Sequence, residues 1–270
     1  MLALYITLGV LAVLLGLFLF LVFPSLRKHP DREVLNGLYI AHRGLHGLEP
    51  NTPENSLPAF QKAIDRGFGI EIDIHLTRDG ELVVFHDDTL TRVCGVDARV
   101  EDKTLAELKE LRLLGTDCRI PTLQECLDTV DGKVPLLIEF KCISLKCDDL
   151  CRAANKILSK YNGKYLIQSF YPTVLRWYKK HRKDICRGQL ASAFKGEELY
   201  KRLLGCLIFN FFGRPDFVSY EHKYRKNFFR RLVIKLGAFP VGWTFQSQEA
   251  LDRDRRGFKS YIFENFIPKE

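Results

Sequence analysis

Residues 71 to 87, EIDIHLTRDGELVVFHD, set Glu71, Asp73 and His75 at alternate positions of an apolar run, then return past Asp79-Gly80 to His86 and Asp87. Side chains at i, i+2 and i+4 of a β-strand share a face, so Ile70, Ile72 and Ile74 can line one side, and the carboxylates and imidazole the other. Neighbouring carboxylates repel, raise each other's pKa and are costly to bury without a compensating cation or donors. A divalent metal supplies that compensation; the alternative is an edge strand whose polar face meets water. Two further pairs bear on the choice: His42-Arg43 in AHRG, and Glu139 with Lys141, again two apart, in IEFK.

The elements that must position these residues are legible as alternation. Nine apolar, β-rich runs (LYIAHR, GIEIDIHLT, ELVVFHD, VPLLIEFK, KYLIQSF, GQLASAF, DFVSYEH, FPVGWTF and SYIFEN) are separated by helix-like segments such as PENSLPAFQKAIDRG, DKTLAELKELRLLG, IPTLQECLDTVDG and CDDLCRAANKILSKY. Thr122, with Gln124 and Glu125 in the first turn, marks the start of the third. Steady alternation of strand and helix argues a parallel sheet. Nine strands is one too many for an eightfold barrel. The connection around Asp79-Gly80 is too short for a parallel crossover, so ELVVFH must fold back as a hairpin. The expected fold is therefore α/β, a (β/α)₈ TIM barrel over residues 37–270 with an extra β-hairpin after strand two. Chemistry in that fold sits at the carboxyl ends of the strands, where His42, Arg43, Glu71, Asp73, His86, Glu139 and Lys141 would all converge. Three carboxylates and two histidines in one mouth read as a metal site with an acid or base beside it.

Residues 2–23 carry no charge for 22 positions, and at ~1.5 Å per residue such a helix reaches ~33 Å, enough to cross a bilayer. The expectation is one N-terminal transmembrane helix over residues 1–23 and a polar linker over 24–36 with Pro24 and Pro30 as breakers. A cleavable signal peptide would need a basic region before the apolar run and a small-x-small site after it, and both are missing. Arg27, Lys28 and Arg32 follow the run, so the positive-inside bias makes this a single-pass membrane protein with its catalytic domain in the cytoplasm. Eight cysteines show no CxxC spacing and read as reduced thiols rather than a framework or a zinc knuckle. The net charge is +8, and Lys223, Arg225, Lys226, Arg230, Arg231 and Lys235 interleave with aromatics. That patch could grip an anionic membrane surface or be a plain solvated helix face; no nucleic-acid partner is expected.

The ordered set AHRG, PEN, EIDIHLTRDG, FHD, IPTLQE, IEFK, QSF and GWT resembles the motifs of the glycerophosphodiester phosphodiesterase family, from about residue 37 to the end. The resemblance implies a (β/α)₈ barrel and one divalent ion, Mg²⁺ or Ca²⁺, held by Glu71, Asp73 and Glu139. It implies His42 and His86 as acid and base, Arg43 and Lys141 as phosphate contacts, and Trp243 in the substrate pocket. Departures from the pattern at Ser56, Gln246, Glu264 and Asn265 leave the metal set intact and bear on substrate choice. The implied reaction is hydrolysis of a glycerophosphodiester to glycerol 3-phosphate and an alcohol. Either water or a substrate hydroxyl could attack, and His42 is the preferred base. The alternatives are lysophospholipase D action on a lysophospholipid and a non-catalytic barrel scaffold. Of the remaining candidates, His75 is placed on the hairpin rim, Glu54 and Asn55 either brace the first loop or cap the next helix, and His46, His181 and His222 read as surface or loop residues.

Overall fold

The structure is a computed structural model and describes residues 1–269. The apolar run forms helix α1 (Leu2–Val22). Strand β1 (Tyr39–Ala41) leads to α2 (Leu57–Asp65), which is capped by the Ser56 hydroxyl. The hairpin β2 (Gly69–Leu76) and β3 (Leu82–Val84) follows, then the short helices α3 (Thr91–Cys94) and α4 (Leu105–Lys109). Next come α5 (Leu123–Val130), β4 (Leu136–Phe140), α6 (Asp148–Leu158), β5 (Tyr165–Ser169), α7 (Pro172–His181) and β6 (Arg187–Ala191). The chain closes with α8 (Leu199–Gly205), α9 (Asn210–Gly213), β7 (Phe217–Glu221), α10 (Phe228–Lys235), β8 (Phe239–Phe245), α11 (Gln248–Asp254) and β9 (Ser260–Phe263).

Eight strands run parallel, and β1 pairs with both β2 and β9, so the ring closes into a TIM barrel. The hairpin is as the short connection requires: β3 lies antiparallel on β2, with Ile74 opposite Val84 and Leu76 opposite Leu82. Gly80 takes φ +85 in its turn, a conformation glycine adopts without penalty. Alternation along each strand separates two cores. Ile70, Ile72, Ile74, Ile138 and Val218 join the cluster shared with the surrounding helices. Inside the barrel Leu35, Ile40, Leu137, Leu166, Phe217, Phe239 and Ile262 fill the lower layer. The polar residues of the same strands lie one step further along, towards the carboxyl ends.

Three expectations change. Residues 24–36 are not a free tether: Pro30–Leu35 forms a 3₁₀ turn, the His29 ring meets Asp184 O at 2.9 Å, and Leu35 is fully buried in the barrel floor. An apolar residue in a polar stretch has gone where the open end of the barrel needed filling. Leu35→Ala should therefore cost about 2–5 kcal/mol of stability, read from denaturant unfolding, as a core truncation does; a cost near zero would return the segment to a tether. The helix expected across DKTLAELKELRLLG shortens to α4, which has a Thr104–Glu107 capping box but only five residues. Leu108, Leu113 and Ile120 instead pack into a satellite core with Val83 and Phe85 of the hairpin. The basic patch also loses members: Arg225 pairs with Asp254 at 2.7 Å, and Arg230 is buried over the Phe258 ring. Lys223, Lys226, Arg231 and Lys235 stay exposed.

Candidate active site

Parallel register puts Asp73 of β2 directly beside Glu139 of β4. Together with Glu71, one ligand atom from each lies within 4.8 Å of the others, and all three residues are buried. Among the described residues no other group of three or more histidine, cysteine or carboxylate side chains gathers this closely. Lys141, just past the end of β4, brings its Nζ to 2.6 Å from Glu139 and 3.1 Å from Asp73. Arg43 reaches the same carboxylates because the chain turns sharply after β1. Arg43 and Gly44 both take positive φ (56° and 80°), and a Cβ on Gly44 would sit 2.9 Å from the Ala59 backbone. The Arg43 N–H donates to Glu71 at 3.2 Å, its guanidinium donates to Glu54 at 2.8 Å, and its Nε lies 3.7 Å from Asp73.

Three buried carboxylates thus face two half-buried cations, Arg43 and Lys141, one positive charge short of balance. Burial, then Asp73 and Glu139, push Glu71 well above the ordinary carboxylate range, and burial also raises Glu139 against the pull of Lys141. Burial raises Asp73 as well, but there Lys141, His86 and Arg43 overcome it and hold the group far below its usual value. Asp73 Oδ1 has no aligned hydrogen bond although Lys141 stands close to it. An orphaned oxygen in an over-acidic pocket of hard ligands, with no thiolate or imidazole among them, fits Mg²⁺ or Ca²⁺.

The two histidines are held alike. His42 Nδ1 lies 2.5 Å from Glu264, with Nε2 4.0 Å from Glu71. His86 Nδ1 lies 2.6 Å from Asp87. A carboxylate at Nδ1 fixes the ring and its tautomer, leaving Nε2 to exchange a proton. Burial, partly offset by Asp73, lowers the His86 pKa from its ordinary value. Asp87 is in turn bound by Arg92 at 2.7 Å, and Arg92 forks onto Glu54, which also holds Arg43. One chain of ion pairs therefore ties the first loop to the hairpin across the mouth.

The remaining candidates separate. Trp243 is half-buried on β8, edge-on to Phe170 at 5.8 Å, with its indole N–H unpaired. His75 is not on a rim: it is buried and within 3.3 Å of the His86 carbonyl, and burial drops its pKa to about 4. It bears on His86 rather than on the acidic trio. Asn55 donates to Asp73 at 3.0 Å and Glu54 holds the two arginines, so both brace the site while Ser56 does the capping. His222 is buried against Phe245 and bonded to Asp254, and His46 lies 3.9 Å from Glu264; neither is a free surface residue. Sequence reasoning missed the parts of Glu264 and Arg92. Glu264 stood out only as a departure from a motif, and Arg92 gave no signal at all.

Residues 42–249 match the profile of the glycerophosphoryl diester phosphodiesterase family. A glycerophosphodiester phosphodiesterase of Caldanaerobacter subterraneus subsp. tengcongensis is 37% identical over 155 residues, 53% of this chain and 62% of that protein. The human lysophospholipase D GDPD1 is 29% identical over 180 residues, covering 61% and 55% of the two chains. The matches thus span about half to three fifths of these relatives' own lengths. Among solved structures, an Oleispira antarctica phosphodiesterase in complex with the product sn-glycerol-3-phosphate superposes with a TM-score of 0.70 at 25% identity, over 87% of this chain and 94% of that one. A Thermotoga maritima glycerophosphodiester phosphodiesterase gives 0.64 at 27%, over 84% and 93%.

Proposed function

The chain belongs to the glycerophosphoryl diester phosphodiesterase family, and from that premise we propose that it hydrolyses glycerophosphodiesters to glycerol 3-phosphate and an alcohol. The observation that carries the proposal is the pairing, in one mouth, of an acidic trio short of positive charge with two imidazoles, each braced at Nδ1 by a carboxylate. Glu71, Asp73 and Glu139 would hold one Mg²⁺ or Ca²⁺. When bound, the ion offsets charge on the phosphoryl oxygens. Arg43 and Lys141 give the diester monoanion two fixed positive charges that need no reorganisation as charge develops. His42, through Nε2, takes a proton from the attacking oxygen, and His86 gives one to the leaving alkoxide. Trp243, half-buried on β8, offers an apolar wall to the substrate.

Glu264 then acts as a positioning residue. Glu264→Gln should lower kcat on the order of ten-fold with KM little changed, part of the 10²–10⁴-fold that acid–base catalysis contributes. It should also shift the basic-catalyst limb of the pH profile and add almost nothing to His42→Ala. Additive losses would give Glu264 a separate role.

A second substrate, a lysophospholipid, is favoured by exposed apolar side chains on the segments that follow the carboxyl ends of the strands, Ile143 and Leu145 in the loop after β4 and Leu199 and Tyr200 at the start of α8 after β6. The relative named as a lysophospholipase D supports the same reading. Helix α1 is long and apolar enough to cross a bilayer, with a mean hydropathy of 2.7; we read it as the anchor, with the barrel on the cytoplasmic side. The exposed Lys223, Lys226, Arg231 and Lys235 would add attraction to an anionic surface. Parallel assays of the full chain on a soluble glycerophosphodiester and on a lysophospholipid, with Mg²⁺ or Ca²⁺, decide the substrate class. Turnover of neither would overturn the enzyme reading in favour of a scaffold.

A further inference from the structure

Away from the mouth, the last turns of α1 meet the barrel wall along a groove of about 700 Å³. One side is apolar and comes from α1 and the residue just after it: Leu19, Phe20 and Phe23. The other side is basic and comes from the barrel: Lys179, Lys183, Arg187 and Arg214. These cations are poorly neutralised. Arg187 lies 3.8 Å from Asp216, whereas among the described residues Lys179, Lys183 and Arg214 make no ion pair. Lys179 reaches only the Phe212 carbonyl, at 3.4 Å. Arg214 donates to the carbonyls of Phe20 and Phe23, both at 2.7 Å, and lies over the Phe20 ring. Burial lowers the pKa of Lys179 and Arg214, and for Lys179 the nearby arginines add to the effect.

The place matters as much as the charge. A span that ends at Val22 puts residues 19–27 at the boundary between hydrocarbon and headgroups, where lipid phosphates lie. Arg27, also lining the groove, donates at 2.7 Å to the Lys183 carbonyl, which fixes the chain's exit from the helix against this basic wall. The barrel wall does not leave the end of α1 free; Val22 is buried and its carbonyl accepts from Asn210 at 2.9 Å. A gap with a lipid-like wall on one side and uncompensated cations on the other, at the depth of the phosphates, matches an amphiphile with one anionic head.

We propose that this groove binds an anionic phospholipid, with its headgroup phosphate on Lys179, Lys183 and Arg214 and an acyl chain along Leu19 and Phe20. The inference rests on the reading of α1 as a membrane span and on no feature of the catalytic mouth. A zwitterionic lipid carries its own ammonium towards the same cations and is disfavoured. A bound lipid also bridges helix and barrel, fixing how the domain stands on the bilayer.

The test uses the full chain in nonionic detergent, titrated with phosphatidylglycerol and with phosphatidylcholine and read by native mass spectrometry. The expected result is at least about ten-fold tighter binding of phosphatidylglycerol, with that preference lost in Lys179→Gln/Lys183→Gln, from two basic groups at ~1 kcal/mol each. Lys183 is exposed and Lys179 half-buried, so the variant should keep the parent's unfolding midpoint and its turnover of soluble diester. Equal binding of the two lipids, or an unchanged preference in the variant, would overturn the proposal. Displacement of phosphatidylglycerol by millimolar inorganic phosphate would reassign the groove to free anions. Absence of turnover in the parent would count against the enzymatic reading and leave the lipid result standing.

Discussion

His42→Ala and His86→Ala should each lower kcat by roughly 10²-fold or more, because in the proposed mechanism each removes a proton carrier that works only in the transition state. The fold should survive both changes. Neither ring belongs to a core cluster, and each is held chiefly by one carboxylate, Glu264 or Asp87. The double variant should lose less than the product of the single losses, since the two groups serve one displacement. Single-turnover rates and divalent-ion affinity separate the outcomes: lost rate with retained ion binding supports the assignment. Near-normal turnover in either variant would reduce that histidine to a structural part of the mouth.

Chelation should have an effect at least as large. With the ion stripped by excess EDTA, turnover should fall to background, and Mg²⁺ or Ca²⁺ should restore it while Zn²⁺ does so poorly, as three oxygen ligands dictate. The apo site should still be folded, because Lys141 and Arg43 already neutralise two of the three carboxylates. Glu139→Gln leaves the remaining trio members closer to charge balance and should weaken ion binding in calorimetry. If chelator left the rate unchanged, the acidic trio would be an internal ion-pair network alone.

The barrel was legible because its period-two alternation is unbroken: Glu71, Asp73 and Glu139 alternate with isoleucines that face the helices. Loop length alone disclosed the hairpin, since a handful of residues cannot make a parallel crossover. What the sequence could not disclose were partners distant along the chain. Glu264 meets His42 from 222 positions away, and Arg92 links Glu54 to Asp87 from a short helix with no periodic signal. Leu35 shows the same limit, an apolar residue in a largely polar stretch that closes the barrel floor. The α10 patch shows the converse: charge runs are visible in sequence, but Arg225 and Arg230 are spent on Asp254 and Phe258 inside the protein.

The most direct measurement is release of glycerol 3-phosphate from glycerophosphocholine by the full chain in Mg²⁺ or Ca²⁺, set beside Asp73→Asn in the same conditions. Asp73 is the group that touches Lys141, Arg43 and Asn55 at once and adjoins Glu139 in register. Multiple-turnover release by the parent that stops in excess chelator, and is nearly abolished in Asp73→Asn, is the predicted result. No release by the parent on any glycerophosphodiester, or equal release by parent and variant, would contradict the account.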